Sequence, residues 1–512
     1  MTRRTNDWER RLTGDPLRTG GFTDAAKDRI KERIRVKKMK SRWLLRVGAF
    51  AACIAALGAG ILFREELADK MAGTDKPAII KAVMTDKLAE QGEITLKVQD
   101  YSQGGFMRQY GRSFMIQHPS VRIQTVSPEG QMKGMTSVTD VYRAFIEQEK
   151  PDVLRLPLAV YIELARDGLL LPIDNRMQED GYEAEQFYGP VIDTLREAGG
   201  GELFGLSSEF TTRAVYLNPK LFEQHNVQLP EGALTWKELL QVAASFQGSG
   251  VFGLTAELAS DPLTLVAAIG RTEGLQLTDK GGSRATVSGA AWEDIWTLVV
   301  DSVNAGTLFT REPGDVLKAP YYMEEAYKRD PFMKGEAAMR VDWHHYVGDL
   351  LEASKWPELT VEWTALPEPV RANERNASSS FMIEEVFAIA ADSTNVPAAW
   401  ELLKVVTSEA IASRTEGTLT KNRLSARSGG AALDSGLREA FYRLDADPAR
   451  VVARAEAEWD PAQSKISQAF YRIGSPLMQA VLKGDKTVSD ALTELQTGLD
   501  AELAAMPTEE AE

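Results

Sequence analysis

Near the N-terminus, residues 47–63 read VGAFAACIAALGAGILF and carry no charge; with residues 43–45 the apolar stretch covers 43–63, broken once by Arg46. A bilayer-spanning helix needs about 20 apolar residues, with a range of roughly 17–25, and Arg46 can snorkel to the interface. Lys31, Arg33, Arg35, Lys37, Lys38, Lys40 and Arg42 precede the run, and Arg64, Glu65 and Glu66 follow it. Positive flanks stay in the cytoplasm, so residues 1–42 are expected inside and the remainder outside. After a mixed lead-in over 75–90, the pattern changes to short strands alternating with helices. Residues 93–101 (EITLKVQDY) alternate Ile94, Leu96 and Val98 with polar positions, the period of a strand. A helix is predicted over 104–117, a strand over 121–126, and a helix over 137–148 whose Ser137 and Asp140 have capping-box spacing. A third strand, DVLRL over 152–156, is ended by Pro157. This rhythm predicts an α/β domain with a largely parallel sheet. Ligands of such sheets sit beyond the carboxyl ends of the strands, here at 101–103 and 157–159.

Further along, Thr235 and Glu238 form a second capping box opening TWKELLQVAASF. A strand begins at 252–255 and a helix at 261–269. Residues 397–407 are amphipathic, with Trp400, Leu403 and Val406 on one side, and helices over 466–483 and 489–503 close the chain.

Composition changes this picture in two places. The chain has 512 residues, 44% hydrophobic and 26% charged, enough for two or three domains. Its net charge of −15 is uneven: residues 1–46 hold 15 Lys/Arg against 6 Asp/Glu, a balance of +9, which leaves −24 for the rest. An acidic body excludes nucleic acid as the partner, since phosphate binding needs a basic face. Cys53 is the single cysteine, so neither an intrachain disulfide nor a multi-cysteine metal site can form. Residues 51–53 (Ala-Ala-Cys) resemble the end of a lipobox, although the apolar run continues ten residues beyond. A cleaved signal peptide is a further reading, set against 40-odd residues before the run. The uncleaved anchor is the primary expectation. The charged segment 24–40 reads as a juxtamembrane basic helix touching anionic lipid, or as a docking site for a cytoplasmic partner.

Several apparent motifs carry no chemistry. GSGVFG (Gly248, Gly250, Gly253) matches a nucleotide-loop pattern, but it follows a helix and enters a strand, the reverse of the required context; it reads as a turn. His118, His225, His344 and His345 lack zinc-ligand spacing. Adjacent Glu384 and Glu385 face opposite ways in a strand, which does not make an acid/base pair. No cofactor, metal or catalytic residue is expected.

Five ordered stretches resemble one family. They are 152–175 (DVLRLPLAVYIELARDGLLLPIDN), 205–222 (GLSSEFTTRAVYLNPKLF, followed by Pro230 and TWKEL), 335–343 (GEAAMRVDW), 387–407, and 481–496 (VLKGDKTVSDALTELQ). Together, over roughly 93–503, they resemble the family 1 extracellular solute-binding proteins, the sugar-type, maltose-binding-protein-like components of ABC importers. The resemblance implies a two-lobed periplasmic-binding-protein fold, type II-like, with hinge strands near 207–211, near 384–388 and before the C-terminal helices, preceded by the transmembrane helix. The expected organisation is a tail 1–42, an anchor 43–63, a linker 64–90 and a binding domain 91–507. The N-lobe is placed at about 91–206 plus 388–440, the C-lobe at about 212–384 plus 441–507.

It further implies a monomer that traps a small solute, a sugar or oligosaccharide, between the lobes and presents it to an ABC permease, from the outer face of the cell membrane. The positions matching the family's ligand contacts are Tyr101, Gln103, Pro157, Glu209, Phe210, Asp261, Trp343, Phe470 and Tyr471. Three stretches depart from the pattern. Residues 157–160 (Pro-Leu-Ala-Val) are apolar where sugar-binding relatives often carry a carboxylate or amide. Asp342 stands where Gly is usual before Trp343, and Arg423-Leu424-Ser425 replaces Leu-Pro-Ala. The long basic tail fits a second reading, a membrane-bound sensor signalling through that tail.

Overall fold

Strand β1 (Ile94–Gln99) buries Ile94, Leu96 and Val98, as its alternation requires. The computed structural model describes residues 88–506 apart from 131–136, 257–260, 312–321, 417–423 and 428–434. The apolar run, Cys53 and the basic tail lie outside the described residues. Among the described residues no helix is long and apolar enough to cross a membrane.

In the first lobe, β1 pairs in parallel with β2 (Val121–Val126) and with β3 (Val153–Leu156). Strands β4 (Gly205–Leu206) and β11 (Val386–Ile389) complete the order β2-β1-β3-β11-β4, with β11 antiparallel to both neighbours. All four residues of β11 are buried, as expected of a strand covered on both faces. The helix predicted over 104–117 is a composite: a turn at Gln103–Phe106, a π segment at Met107–Gly111, then α1 (Arg112–Gln117). Such π turns re-aim side chains and are frequent at functional sites. Here the turn carries Gln109 and Tyr110. Helix α2 (Val138–Glu149) is capped by Ser137, whose Oγ accepts from the Asp140 amide. Helices α3 (Leu158–Arg166) and α4 (Gly189–Ala198) follow.

The chain leaves this lobe through β5 (Glu209–Phe210) and enters a second sheet at β6 (Arg213–Leu217). That sheet has the order β7-β8-β6-β9, with β7 (Phe252–Ala256), β8 (Ala337–Trp343) and β9 (Thr364–Pro367). Alternation along β6 sends Val215 and Leu217 into one core, with α5 (Trp236–Ala244), α6 (Pro262–Glu273) and α7 (Ala290–Asn304). Ala214 and Tyr216 belong to the other core, which holds Tyr346, Val347 and Leu350 of α8 (Tyr346–Ala353) and runs continuously into the first lobe. The GSGVFG segment is a turn running into a strand: Gly248 and Gly250 have φ of 75° and 86°, and Gly253 is the second residue of β7.

The return path corrects the expected lobe boundaries. Strand β10 (Ala377–Ser378) and β11 lead back, and α9 (Val396–Val406) packs on the first sheet. Beyond β12 (Leu424–Ser425), α10 (Ser435–Tyr442) packs on β6 and β9 of the second lobe, although 388–440 was expected in the first. After β13 (Asp445–Ala446), α11 (Pro448–Glu458) buries Val451 and Val452 against α3 and α4 of the first lobe, although 441–507 was expected in the second. Helices α12 (Pro461–Leu482) and α13 (Val488–Ala504) then pack in the second lobe, on α6 and α7. The reason is the short apolar stripe of each helix, which docks on whichever lobe offers a complementary face; no composition break marks the switch.

Candidate ligand-binding cleft

The carboxyl end of the first sheet gathers polar groups that a buried sheet edge would otherwise avoid. Asp100, directly after β1, is 3% exposed. Arg155, on β3, places Nη1 3.3 Å from Asp100 Oδ1 and donates from Nη2 to Glu385, the residue before β11. Burial pulls the Arg155 pKa down, but Glu385 and Asp100 outweigh it and hold the guanidinium charged. Gln99 fixes the strand by accepting from the Arg155 amide at 2.7 Å, while its Nε2 and Arg155 Nε have no hydrogen-bond partner among the described residues. Beside this network the hydroxyls of Tyr101 and Tyr142 are 2.5 Å apart. Burial drives the Tyr142 pKa up, and its hydrogen bond with Tyr101 adds to the rise. Gln109 donates to the Tyr110 hydroxyl at 2.7 Å and to Glu209 Oε1 at 3.3 Å, and Tyr110 meets Ser208 at 3.2 Å. The π segment thus ties the first lobe to the crossing strand.

The crossings lie side by side. Leu424 and Ser425 of β12 pair with Phe210 and Glu209 of β5, and Thr211 bridges Met382. Phe210 packs in a ring cluster with Tyr188, Phe381 and Tyr442 at 4.9, 5.4 and 5.2 Å. Next to the crossings is a pocket of about 180 Å³. Its walls are Pro157, Leu158 and Ala159 of the first lobe, the crossing residues Met382, Ile383 and Glu384, from α11 Val451, Arg454, Ala455 and Glu458, and Trp459 directly after it. Arg454 donates to the carbonyls of Ser379 and Phe381, and burial lowers its pKa. Trp459 is 45% exposed, so its indole faces solvent at the mouth.

Two lobes with adjacent crossing strands and a pocket at the carboxyl edge agree with the sequence match: the model of the family described as bacterial extracellular solute-binding protein covers residues 100–412, more than half of the chain. The chain belongs to that family. This solute-binding protein is 23% identical over 422 residues to a candidate binding protein of Brucella abortus (strain 2308), covering 79% of this chain and 94% of that one. Its fold is shared with a sugar transporter protein of Rhizobium etli in an open conformation (TM-score 0.56, 16% identity, 81% of this chain and 100% of that one). It is also shared with the sugar-binding protein MalE of Xanthomonas citri (TM-score 0.56, 17% identity, 80% and 97%).

Within this solute-binding protein the nine positions picked from sequence separate into groups. Pro157 lines the pocket, and Tyr101, 46% exposed, stands at the same sheet edge. Gln103 opens the helical turn Gln103–Phe106 just after it. Glu209, 7% exposed, sits at the crossing. Phe210, at 1%, is filler of the hinge core rather than a free surface. Trp343 ends β8 with the Arg213 guanidinium 4.4 Å from its ring. Asp261 caps α6, accepting from the Leu263 amide at 3.0 Å and from Ser475 at 2.5 Å. Phe470, at 1%, packs against Trp292 in the second-lobe core with Tyr471 beside it, and neither lines the pocket. On α12 the apolar stripe facing α6 and α7 takes Phe470 inward. Sequence reasoning missed Asp100, Arg155, Glu385, Tyr142, Arg454 and Trp459. Arg155 left a trace, a charge inside the otherwise apolar DVLRL. Arg454 and Trp459 left none, because their place depends on where α11 docks.

Proposed function

We propose that this protein captures a small solute, a carbohydrate in our reading, in the pocket between Pro157–Ala159, Met382–Glu384 and α11, and hands it to an ABC permease. The observation that carries the reading is the composition of that pocket at the sheet's carboxyl edge. An apolar wall and the exposed Trp459 indole suit the apolar face of a sugar ring. Glu384 and Glu458 supply carboxylates for its hydroxyls, which removes the difficulty raised by the apolar 157–160 segment. The naming of the Rhizobium etli and Xanthomonas citri proteins as sugar proteins adds support. A solute held against both the first lobe and the crossing residues would favour one setting of the hinge, the physics of hinge closure. Residues 43–63 would hold the binding domain on the outer face of the cell membrane, with 1–42 inside.

Thermal shift of residues 76–512 against monosaccharides, oligosaccharides and polyols tests the ligand class. A ligand at 100 times its Kd stabilises the native state by about 2.7 kcal/mol, and a panel without any shift sinks the carbohydrate reading. Mass spectrometry of the membrane-extracted chain tests the anchor: an intact 1–46 segment is expected, and cleavage before Cys53 with lipid attached would refute it. The +9 balance of residues 1–46 favours a second reading, ligand sensing. Ligand-dependent crosslinking of a cytoplasmic protein to residues 24–40 would support it, and its absence would leave import alone.

A further inference from the structure

Helix α11 lies in the first lobe although the helices on either side of it, α10 and α12, pack in the second. Its attachments run to both sides. Toward the first lobe, Val451 and Val452 are buried against α3 and α4, and Arg166 of α3 donates to Glu456 at 2.6 Å. In the other direction, Arg450 makes a two-pronged pair with Glu374, of the loop between β9 and β10. Bidentate guanidinium–carboxylate pairs fix orientation as well as charge. Arg454 donates to the carbonyls of Ser379 and Phe381, on the stretch that leads from the second sheet into the β11 crossing. Holding these carbonyls fixes the backbone directly before Met382–Glu384, one wall of the pocket.

We infer that α11 is a strap across the cleft that sets the spacing of the lobes and limits the bound solute to one ring or one short polyol chain. The inference rests on the binding role proposed above. Val451, Ala455, Glu458 and Trp459 take up the space on the α3 side of the cleft, and about 180 Å³ remains. Clefts that enclose drug-sized ligands measure roughly 300–1,000 Å³, so only one ring or one short polyol chain is enclosed while the strap is fastened. Arg450 is therefore a positioning residue, acting on the solute through the place of α11, whereas Arg454 both holds the hinge wall and lines the pocket.

The test uses the full-length chain in two arms. In the first, D-glucose, D-galactose, D-xylose and D-mannitol are compared by calorimetry with maltose and maltotriose. The best one-ring or polyol probe is expected to bind about tenfold or more tighter than maltotriose, the size of effect a single misfitted group produces in a closed pocket. Arg450→Ala, a surface change, and Arg454→Met are each expected to narrow that ratio. Maltotriose binding as tightly as every smaller probe in the unaltered protein overturns the inference. In the second arm, spin labels at Glu147→Cys on α2 and Glu293→Cys on α7, in a Cys53→Ser background, report the distance between the lobes without ligand. Loss of the strap contacts is expected to lengthen and broaden the distance distribution. An unchanged distribution in variants that keep their far-ultraviolet circular dichroism refutes the strap. If no sugar of any length binds, the carbohydrate reading falls, and the distance arm still decides whether α11 straps the lobes.

Discussion

Gly253, the last glycine of GSGVFG, is held by packing. A Cβ built there would lie 2.2 Å from the carbonyl oxygen of Ala243 on α5, where no carbon fits. Gly253→Ala is expected to lower stability by about 1–3 kcal/mol through overpacking, read as a fall in the urea midpoint; an unchanged midpoint would mean that the helix yields freely. The helix-to-strand context excludes a nucleotide loop from sequence alone, whereas the need for glycine comes from the contact of α5 with β7. Asp342 follows the same logic. It stands where the family usually has Gly, and it pairs with Arg340 at 2.5 Å while Asp330 holds the other side of that guanidinium at 3.0 Å. The departure is a buried ion network under β8. At the sheet edge, Glu385→Gln removes one of the two carboxylates facing Arg155. Stripping a partner from a largely buried charge costs up to 3–5 kcal/mol. Glu385 is 27% exposed, so a loss of about 1–3 kcal/mol is expected in chemical denaturation.

At the scale of elements, caps and alternation were legible because they are local. The capping box at the start of α5 is formed as written in the sequence: Thr235 Oγ1 accepts from the Glu238 amide at 3.2 Å, and the Thr235 amide donates to Glu238 at 2.8 Å. Thr235→Ala is expected to cost about 1 kcal/mol, measured by thermal or urea unfolding. The Arg375 guanidinium, together with the Thr235 amide, holds the Glu238 carboxyl down at about 2. A depressed carboxyl stabilises the fold above the unfolded value near 4.3 and loses that contribution as pH falls through about 2. The stability gap between the protein and Glu238→Gln should therefore shrink on acidification from pH 5 to pH 2. The effect is small, because the pair is solvent-screened, and a gap that grows on acidification would contradict the assignment. The π segment and α11 were not legible. A π turn differs from an α-helix by one residue in a run of compatible side chains, and α11 is an ordinary short amphipathic helix whose neighbour no local pattern names.

On the scale of the whole binding domain, one apolar core runs from the first sheet through the crossing strands to the Ala214–Tyr216 face of the second. Two lobes that share a core and several crossings should lose structure together. Tryptophan fluorescence, which reports Trp400 in the first lobe and Trp236, Trp292 and Trp296 in the second, should follow the same urea transition as far-ultraviolet circular dichroism. Two separated transitions would show that the lobes fold independently.

By itself the sequence determined the alternation of strands and helices, their caps, the parallel run of β1, β2 and β3 and the family, because periods of 2 and 3.6 residues and ordered motifs are properties of neighbours along a chain. It also placed Tyr101 and Pro157 at the carboxyl edge, since strand ends follow from strand positions. Only the tertiary structure decided that Arg155 would face Asp100 and Glu385, that Phe470 would turn into the core, and that α11 would cross to the first lobe with Arg454 and Trp459. Those outcomes depend on which surfaces meet across hundreds of residues, and burial of one helix face against another is set by shape and charge at the contact.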